Sequence, residues 1–147
     1  MTDRDMDRIS IRPYRHRDEE AVIRLWEECG LVVPWNDPGK DIRRKMTVGP
    51  GMFLVGVSED RVVATVMAGY EGHRGWINYL AVHPDLMRRG IGSLLMERAE
   101  HLLKEAGCPK VNLQVRSSNR QVIEFYRSIG YKVDDVVSMG KRLDADE

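Results

Sequence analysis

The sequence has no surplus of charge and no long apolar run, and each absence excludes a class of protein. Lysine plus arginine and aspartate plus glutamate both number 23, so the formal net charge is zero. General nucleic-acid binding needs a basic excess on one face, so we expect no nucleic-acid partner. No apolar run approaches the roughly 20 residues of a membrane-spanning helix, so we expect no membrane association.

Cysteine and histidine are also scarce. The two cysteines, Cys29 and Cys108, lie far apart without a CxxC context, so we expect reduced thiols of a cytoplasmic protein rather than a disulfide. The start, MTDRDMDR, is charged and lacks the apolar stretch of a secretory signal. The histidines show no metal-ligand spacing, and we predict no metal site. They are His16, His73, His83 and His101.

What is present is an alternation of strand and helix patterns over 147 residues, enough for one α/β domain. The predicted strands are RISIRPY (Arg8 to Tyr14), a hairpin of MFLVGVS and RVVATVMAGYE joined by EDR, WINYLAV (Trp76 to Val82), KVNLQV, and a final pair in YKVDDVVSMGKRL. The predicted helices are RDEEAVIRLWEECG with Asp18 as N-cap, a short one from about Asp41 to Met46, one starting near Gly92, and NRQVIEFYRSIG.

This order predicts a mixed sheet. The three middle strands should form an antiparallel meander, with WINYLAV buried on both faces because it is almost wholly apolar. The unit from Trp76 to Val115 should place two parallel strands side by side through a right-handed helical crossover. The helix in that unit carries one apolar stripe of Ile91, Leu94, Leu95, Ala99, Leu102 and Leu103. Gly30, Gly107 and Gly130 are predicted to end three of the helices.

The stretch HPDLMRRGIGSLLMERAE places two glycines and two arginines where that helix begins. Helix N-termini carry unpaired N–H groups and partial positive charge, and glycine lets a phosphate approach the backbone. Gly90 and Gly92, beside Arg88 and Arg89, therefore favour a pyrophosphate cradle. A tight turn with solvated arginines explains the same residues. The stretch matches neither the Walker A motif nor the full dinucleotide fingerprint, and an unrelated phosphate-binding protein stays an alternative.

Two longer blocks resemble a known family. The block YLAVHPDLMRRGIGSLLMERAE is similar to the acyl-CoA-binding segment of the GNAT superfamily of N-acetyltransferases. The block VNLQVRSSNRQVIEFYRSIGYK is similar to the ending of that family's domain, and the likeness runs from about Ile9 to Leu143. The loop PWNDP and the segment GYEGHRGW suggest a small bacterial-type branch. The resemblance implies a single domain over residues 1–147, with a mostly antiparallel mixed sheet, a splayed parallel strand pair and flanking helices.

The resemblance also implies how acetyl-CoA, the acyl donor, is held. Backbone groups at the end of the YLAV strand would bind the pantetheine, and an N–H near Ala81 or Val82 would polarise the thioester carbonyl. The loop and helix start would bind the pyrophosphate. Met87 departs from the Gln or Arg usual at that motif position, which should weaken contacts without abolishing binding. Asn119 matches an asparagine that bonds the pantetheine, although it also suits a helix N-cap. The implied coenzyme residues are Leu80, Ala81, Val82, Arg88, Arg89, Gly90, Ile91, Gly92 and Asn119.

For catalysis, the family's tyrosine falls on Tyr126, whose hydroxyl would protonate the departing thiolate. A core aromatic on an amphipathic helix is the alternative. The position of the base in relatives that acetylate protein N-termini is Gln114, which cannot accept a proton at neutral pH. Glu71, with His73 nearby, is the predicted base, and a solvated turn is the competing interpretation. An amine that arrives neutral would need no base.

The acceptor in this fold is usually recognised by the loop after the first helix, here LVVPWNDPGKD. Trp35, Asn36 and Asp37, with Asp41, are the predicted acceptor-binding residues, since a carboxylate suits a cationic amine. Trp35 packed on the core is the alternative. The leading hypothesis is an acetyl-CoA-dependent N-acetyltransferase acting on a primary amine of a small molecule or peptide.

A non-catalytic acyl-CoA-binding or regulatory domain is the competing function, which Gln114 favours slightly. The oligomeric state is open as well. The predicted edge strand near the C-terminus would allow two subunits to pair as a homodimer.

Overall fold

Within residues 9–146, five strands form one sheet in chain order, β1-β2-β3-β4-β5. The structure is a computed structural model that describes residues 9–146, so Arg8 of the first predicted strand and the charged start lie outside the described residues. The strands are β1 (Ser10–Pro13), β2 (Phe53–Ser58), β3 (Arg61–Tyr70), β4 (Gly75–Val82) and β5 (Val111–Leu113). The longer helices are α1 (Glu19–Glu28), α2 (Pro38–Thr47), α3 (Ile91–Glu105) and α4 (Arg120–Ser128), joined by short 3₁₀ turns at His16–Asp18, Pro50–Met52 and Pro84–Leu86.

The predicted meander of β2, β3 and β4 and the predicted parallel strand pair are confirmed. Strands β1 to β4 pair antiparallel, and β4 pairs parallel with β5 through the α3 crossover. The β2–β3 hairpin turns at Glu59 and Asp60, whose φ angles are 51° and 61°. Two successive positive φ angles match the right-handed twist of the strands, so this two-residue turn fixes the hairpin register.

Apolar side chains fill both faces of the sheet. On one face α3 and α4 cover β2, β3 and β4, and on the other α1 and α2 cover the same strands. The first core centres on Leu54, Val66, Ile77, Leu95 and Leu103, and the second on Trp26, Ile42, Phe53, Val55 and Met67. Gly30, Gly107 and Gly130 follow their helices with positive φ, as predicted for helix ends.

Three local predictions need correction. Strand β4 is not buried on both faces, because Trp76 is 39% exposed and Asn78 is exposed on the side that α1 and α2 leave uncovered. In α3, Leu94 is also 39% exposed, and Met96 is buried in its place. The Asp18 carboxylate accepts hydrogen bonds from Arg12 and from the Arg15 N–H and makes no cap to α1, so α1 begins after a buried ion pair.

The predicted final strand pair is wrong. Residues 131–143, hereafter the tail segment, contain no strand. Side chains hold the tail segment beside β5, since Asn112 donates to Asp134 and Gln114 donates to Ser138. Its start is fixed by the Tyr131 hydroxyl, which donates to Glu100 at 2.6 Å. A pattern of alternating apolar residues gave the strand prediction, but the segment lacks the backbone partner that a strand requires.

Candidate functional site

The parallel strand pair opens halfway along β4. Backbone pairing joins Gly75–Ile77 to Val111–Leu113 and ends there. From Asn78 to Val82, this edge of β4 therefore has no neighbouring strand among residues 9–146. Leu80, Ala81 and Val82 lie on this open edge, as the resemblance implies. Crevices at the carboxyl ends of strands are where open α/β sheets bind ligands.

A β-bulge shapes this edge. Thr65 pairs with Ala81, but Met67 pairs with Asn78, so two residues of β4 face one residue of β3. Tyr79 in the bulge has a φ of 52°, a strained conformation for a residue with a side chain. The Thr65 hydroxyl holds it, because it accepts from the Trp26 indole at 2.9 Å and donates to the Tyr79 carbonyl at 2.8 Å.

Aromatic packing completes the support of the bulge. The Tyr79 ring stacks on Trp26 with centroids 3.8 Å apart, and its hydroxyl donates to Asp41 of α2 at 2.6 Å. Burial and this hydrogen bond to Asp41 raise the pKa of Tyr79. The bulge was absent from the sequence-based interpretation, because no composition signal marks a tyrosine at positive φ.

The glycine-rich loop leads from the open edge into α3. Arg88 and Gly90 both have positive φ, 63° and 81°, and α3 starts at Ile91. The Leu94 N–H donates to the Gly90 carbonyl at 3.1 Å, so the N–H groups of the preceding turn have no partner inside the helix. Arg88 and Arg89 are exposed beside them. This 15-residue helix thus presents a positive end with accessible backbone at the exit of the cleft.

Gly92 has a packing role in addition to any role in a cradle. A Cβ atom at this position would lie 3.2 Å from Cζ of Phe125 and 3.8 Å from the Val82 side chain. The absent side chain therefore allows α4 to pack against the start of α3. Gly90, by contrast, is required for its positive φ, which alanine adopts only at a cost.

Tyr126 lies next to this contact and is 8% exposed. Its ring packs edge-on against Phe125 and Tyr131, with centroids 5.1 and 5.6 Å away. Burial raises the pKa of Tyr126 to about 12, so its hydroxyl stays protonated at neutral pH. The structure thus places a buried, protonated hydroxyl on the helix that contacts the start of α3.

Asn119 is the N-cap of α4. Its side-chain oxygen accepts from the Val122 N–H at 3.3 Å, which leaves the amide nitrogen for another partner. The cap interpretation from the sequence is confirmed, and the coenzyme role stays a prediction.

Glu71 lies at the far end of β4 from the glycine-rich loop. Its carboxylate accepts from the N–H groups of His73 and Arg74 in the β3–β4 turn, and these bonds lower the pKa of Glu71. Gly75 and Leu80 are five residues apart, about 17 Å along an extended strand. The structure therefore does not bring Glu71 to the open edge.

The loop between α1 and α2 lies against the residues that follow β5. Trp35 is 50% exposed and lies 5.8 Å from the guanidinium of Arg116, three residues after β5. Asn36 accepts from Arg142 of the tail segment, and Asp37 caps α2 by accepting from the Lys40 N–H at 3.1 Å. The alternative of Trp35 on the core is excluded. An open cavity of about 740 Å³ lies between Trp35, Arg44 and residues 140–144.

Asp146 joins this loop to the end of the chain, and the sequence-based interpretation missed it. Its side chain is 1% exposed and accepts from Arg44 at 2.6 Å and from the Asp37 N–H at 3.2 Å. Hydrogen bonding to Arg44 holds the pKa of Asp146 well below its usual range. A polar C-terminal run such as LDADE gives no sign of burial, so no sequence signal pointed to it.

Three further observations concern the described part of the chain. No helix in residues 9–146 is long and apolar enough to cross a membrane. In the same range, no group of three or more His, Cys, Asp or Glu side chains is arranged to hold a metal ion. Both cysteines are free and half-buried, and the Cys29 thiol donates to the Val82 carbonyl at 3.3 Å.

Comparisons with known proteins agree with this architecture. A family model described as the acetyltransferase (GNAT) family matches residues 11–131. An acetyltransferase of Sodalis glossinidius is 49% identical over 140 residues, covering 95% of this chain and 99% of that protein. One of Pectobacterium atrosepticum is 48% identical over 135 residues, covering 92% and 96%.

Among solved structures, the PaiA N-acetyltransferase of Thermoplasma acidophilum in complex with coenzyme A superposes with a TM-score of 0.78 at 20% identity, covering 88% of this chain and 92% of that one. This likeness shows the fold, while the sequence matches show the family. The chain therefore belongs to the acetyltransferase (GNAT) family and is an N-acetyltransferase.

Proposed function

We propose that this enzyme transfers an acetyl group from acetyl-CoA to a primary amine of a small molecule or peptide. The observation that carries the proposal is the early end of β4–β5 pairing at Ile77 and Leu113, which opens a strand edge leading directly into the glycine-rich loop. Acetyl-CoA is linear and carries a polar pantetheine arm and a pyrophosphate, so it fits the strand edge followed by the helix start. The pantetheine would pair with the edge of β4, and the pyrophosphate would bind at the N-terminus of α3.

The coenzyme-binding roles follow from this placement. The backbone of Leu80, Ala81 and Val82 would bind the pantetheine in the manner of an added strand. The N–H groups at Gly90, Ile91 and Gly92 would bind the pyrophosphate, with Arg88 and Arg89 adding charge. The free amide nitrogen of Asn119 would donate to the pantetheine. The bulge at Tyr79 supports the binding edge, since a bulge re-aims backbone groups that would otherwise pair in the sheet.

The chemistry needs a polarised carbonyl and a proton for the leaving thiolate. An N–H of the β4 edge would donate to the thioester oxygen as negative charge develops there. Tyr126 would then give its proton to the sulfur of coenzyme A as the C–S bond breaks. The Tyr126 hydroxyl is protonated at neutral pH, and its burial excludes water from the acid.

For the acceptor, we propose the region of Trp35, Asn36 and Asp37. Trp35 and Arg116 lie together just beyond the end of β5, where the acceptor amine would enter. The exposed indole offers an apolar surface, and the neighbouring carboxylates of Asp37 and Asp41 suit a cation. Small molecules and peptides that carry a primary amine both satisfy these features.

For deprotonation of the amine, the described residues place no general base at the open edge of β4. If Glu71 is the base, a chain of water molecules must carry the proton along β4, because the carboxylate is held in its turn. If the amine arrives neutral, no base is required. We also propose a cytoplasmic location, where acetyl-CoA is available and both thiols would stay reduced.

The test is coenzyme release measured with panels of polyamines, amino acids, aminoglycosides and peptides. We expect at least one class to give saturable release of free thiol and an acetylated amine by mass spectrometry. Calorimetry with acetyl-CoA, ATP and NAD checks the donor, and we expect heat of binding for acetyl-CoA alone. Gly90→Ala should weaken acetyl-CoA binding, whereas Gly140→Ala, a glycine with open space around it, is the matched control. Binding of ATP or NAD in preference to acetyl-CoA would refute the proposal.

A further inference from the structure

A groove runs along one side of α1, at the end of the sheet where β4 leads into the glycine-rich loop. Its other walls are the start of β1, the β2–β3 turn and His83. The groove has a volume of about 710 Å³, and small-molecule sites typically occupy roughly 300–1,000 Å³. None of the residues proposed above for the coenzyme or the acceptor lines it, so the groove is a separate place in the fold.

Four arginines from separate elements line this surface, which is hereafter the arginine groove. They are Arg12 of β1, Arg17 and Arg24 of the helical turns that include α1, and Arg61 at the start of β3. Arg17 and Arg24 are seven residues apart on continuous helical backbone, and this spacing places both on one side of the helix. The fold thus gathers guanidinium groups from distant parts of the sequence.

Most acidic side chains of the arginine groove already have a partner. The Asp18 carboxylate accepts from Arg12 at 2.7 Å in a largely buried ion pair, so Arg12 is not available to a ligand. Glu28 lies 3.1 Å from the His83 ring. Asp60, in the β2–β3 turn, is the one acid of the groove without an ion pair among residues 9–146.

The remaining arginines keep an uncompensated charge. Arg17, Arg24 and Arg61 are exposed, and none of them makes an ion pair or a side-chain hydrogen bond within the described part of the chain. Three free cations and one free carboxylate leave the groove locally positive, although the formal net charge of the whole chain is zero. A cleft lined by charge of one sign concentrates ligands of the opposite sign, so the groove suits an anion.

The chemistry of the lining narrows the class of anion. The planar guanidinium group binds carboxylates and phosphates through two parallel hydrogen bonds. Between the arginines the groove is lined by apolar side chains, the buried Leu25 and the half-buried Val57 and Val62. A ligand that matches both features has several anionic groups on a short carbon chain.

We propose that the arginine groove is a second ligand site of this enzyme and binds a small organic acid that carries two or more carboxylate or phosphate groups. A cationic amine would be repelled by the three free guanidiniums, so the groove does not suit the acceptor. The proposal does not depend on acetyl transfer, because no residue of the groove takes part in the proposed chemistry.

The test is calorimetry with citrate and with 3-phosphoglycerate at constant ionic strength, in the absence and in the presence of saturating acetyl-CoA. We expect saturable binding of at least one of the two probes in both conditions, and the tighter probe distinguishes carboxylate from phosphate as the preferred group. Arg24→Glu and Arg61→Glu should each weaken this binding by roughly tenfold or more, because each removes a charge-assisted hydrogen bond and adds repulsion. Arg98→Glu, an exposed site on α3 across the sheet, is the matched control and should change nothing.

Three results would overturn the proposal. The first is that neither probe binds the wild-type enzyme. The second is that acetyl-CoA displaces the probe, which would place the anion at the glycine-rich loop. The third is that Arg98→Glu weakens binding as much as the groove variants do, which would indicate general charge screening. Circular dichroism checks that each variant folds, and acetyl-CoA binding measured separately distinguishes a failure of this proposal from a failure of the proposed function.

Discussion

The buried hydroxyl of Thr65 holds three elements together, and its removal gives a measurable test of the site's support. Thr65 is fully buried, and its oxygen satisfies the Trp26 indole of α1 and the Tyr79 carbonyl of β4. Thr65→Val keeps the shape of the side chain and removes only the hydroxyl. Both partners are then left without a hydrogen bond in a dry environment.

The magnitude follows from the two unpaired groups. Each buried donor or acceptor left unsatisfied costs roughly 1–3 kcal/mol, so the two groups together should lower the free energy of unfolding by about 2–6 kcal/mol. For a chain of this size the melting temperature should fall by roughly 4–24 °C. Because the Tyr79 bulge loses its anchor, acetyl-CoA affinity should fall as well, by about tenfold if the strained φ relaxes.

Urea unfolding followed by tryptophan fluorescence, with calorimetry of acetyl-CoA binding, measures both effects. Thr65→Ser is the control, since it keeps the hydroxyl and loses one methyl group, which should cost about 1 kcal/mol. If the valine variant proves as stable as the serine variant, the hydrogen bonds to Trp26 and Tyr79 do not support the fold in the way argued. If stability falls but coenzyme affinity does not, the bulge is not part of the binding edge.

Three further outcomes are expected. Tyr126→Phe should lower kcat by about 10²-fold, which is the low end for general acid catalysis because the leaving thiol is fairly acidic. Acetyl-CoA binding measured by calorimetry should stay unchanged. A variant with full kcat would show that Tyr126 is only a core aromatic residue. Glu71→Gln should leave the rate near neutral pH within about threefold, since its carboxylate is held in a turn; a large loss that recovers at high pH would instead identify it as the base. Asp146→Asn should destabilise the protein at neutral pH, because the lowered pKa of Asp146 means that its ionised form favours the folded state. Urea unfolding should show this difference above the unfolded pKa of about 3.9 and its loss as pH falls further, and a difference independent of pH would exclude the ion pair with Arg44 as its origin.

The elements with strong periodicity were predictable, and their pairing followed from chain order. The hairpin through Glu59 and Asp60, the α3 crossover and the helix ends at glycine all have local causes that a sequence displays. Tyr79 was not predictable, because its positive φ results from strand register and from the hydrogen bond to Thr65. The tail segment was misread as strands because alternation shows which face could be buried, but not whether a partner strand is within reach.

Candidate site residues were predictable where they lie in one contiguous motif, and not where they depend on contacts between residues distant in sequence. The glycine-rich loop and Tyr126 lie in contiguous motifs, and the structure brings both to the same end of α3. Residue type alone favours Glu71 as a base, and only the length of β4 reveals its distance from the glycine-rich loop. Asp146 packs on Asp37 and Arg44 from more than a hundred positions away, a contact that a single sequence does not display.

Because β5 is short, the sheet should open locally at this edge. Strand β5 has three residues, none of them fully buried, and it pairs with one neighbour in the sheet. Its backbone amides should exchange with deuterium through local opening, at a free energy well below that of global unfolding, whereas those of β3 should exchange only when the whole domain unfolds. The cleft is thus bordered on one side by central strands and on the other by a short edge strand that should open more readily than β3. The affinity of a ligand bound in the cleft would therefore depend on the fraction of time for which β5 is closed.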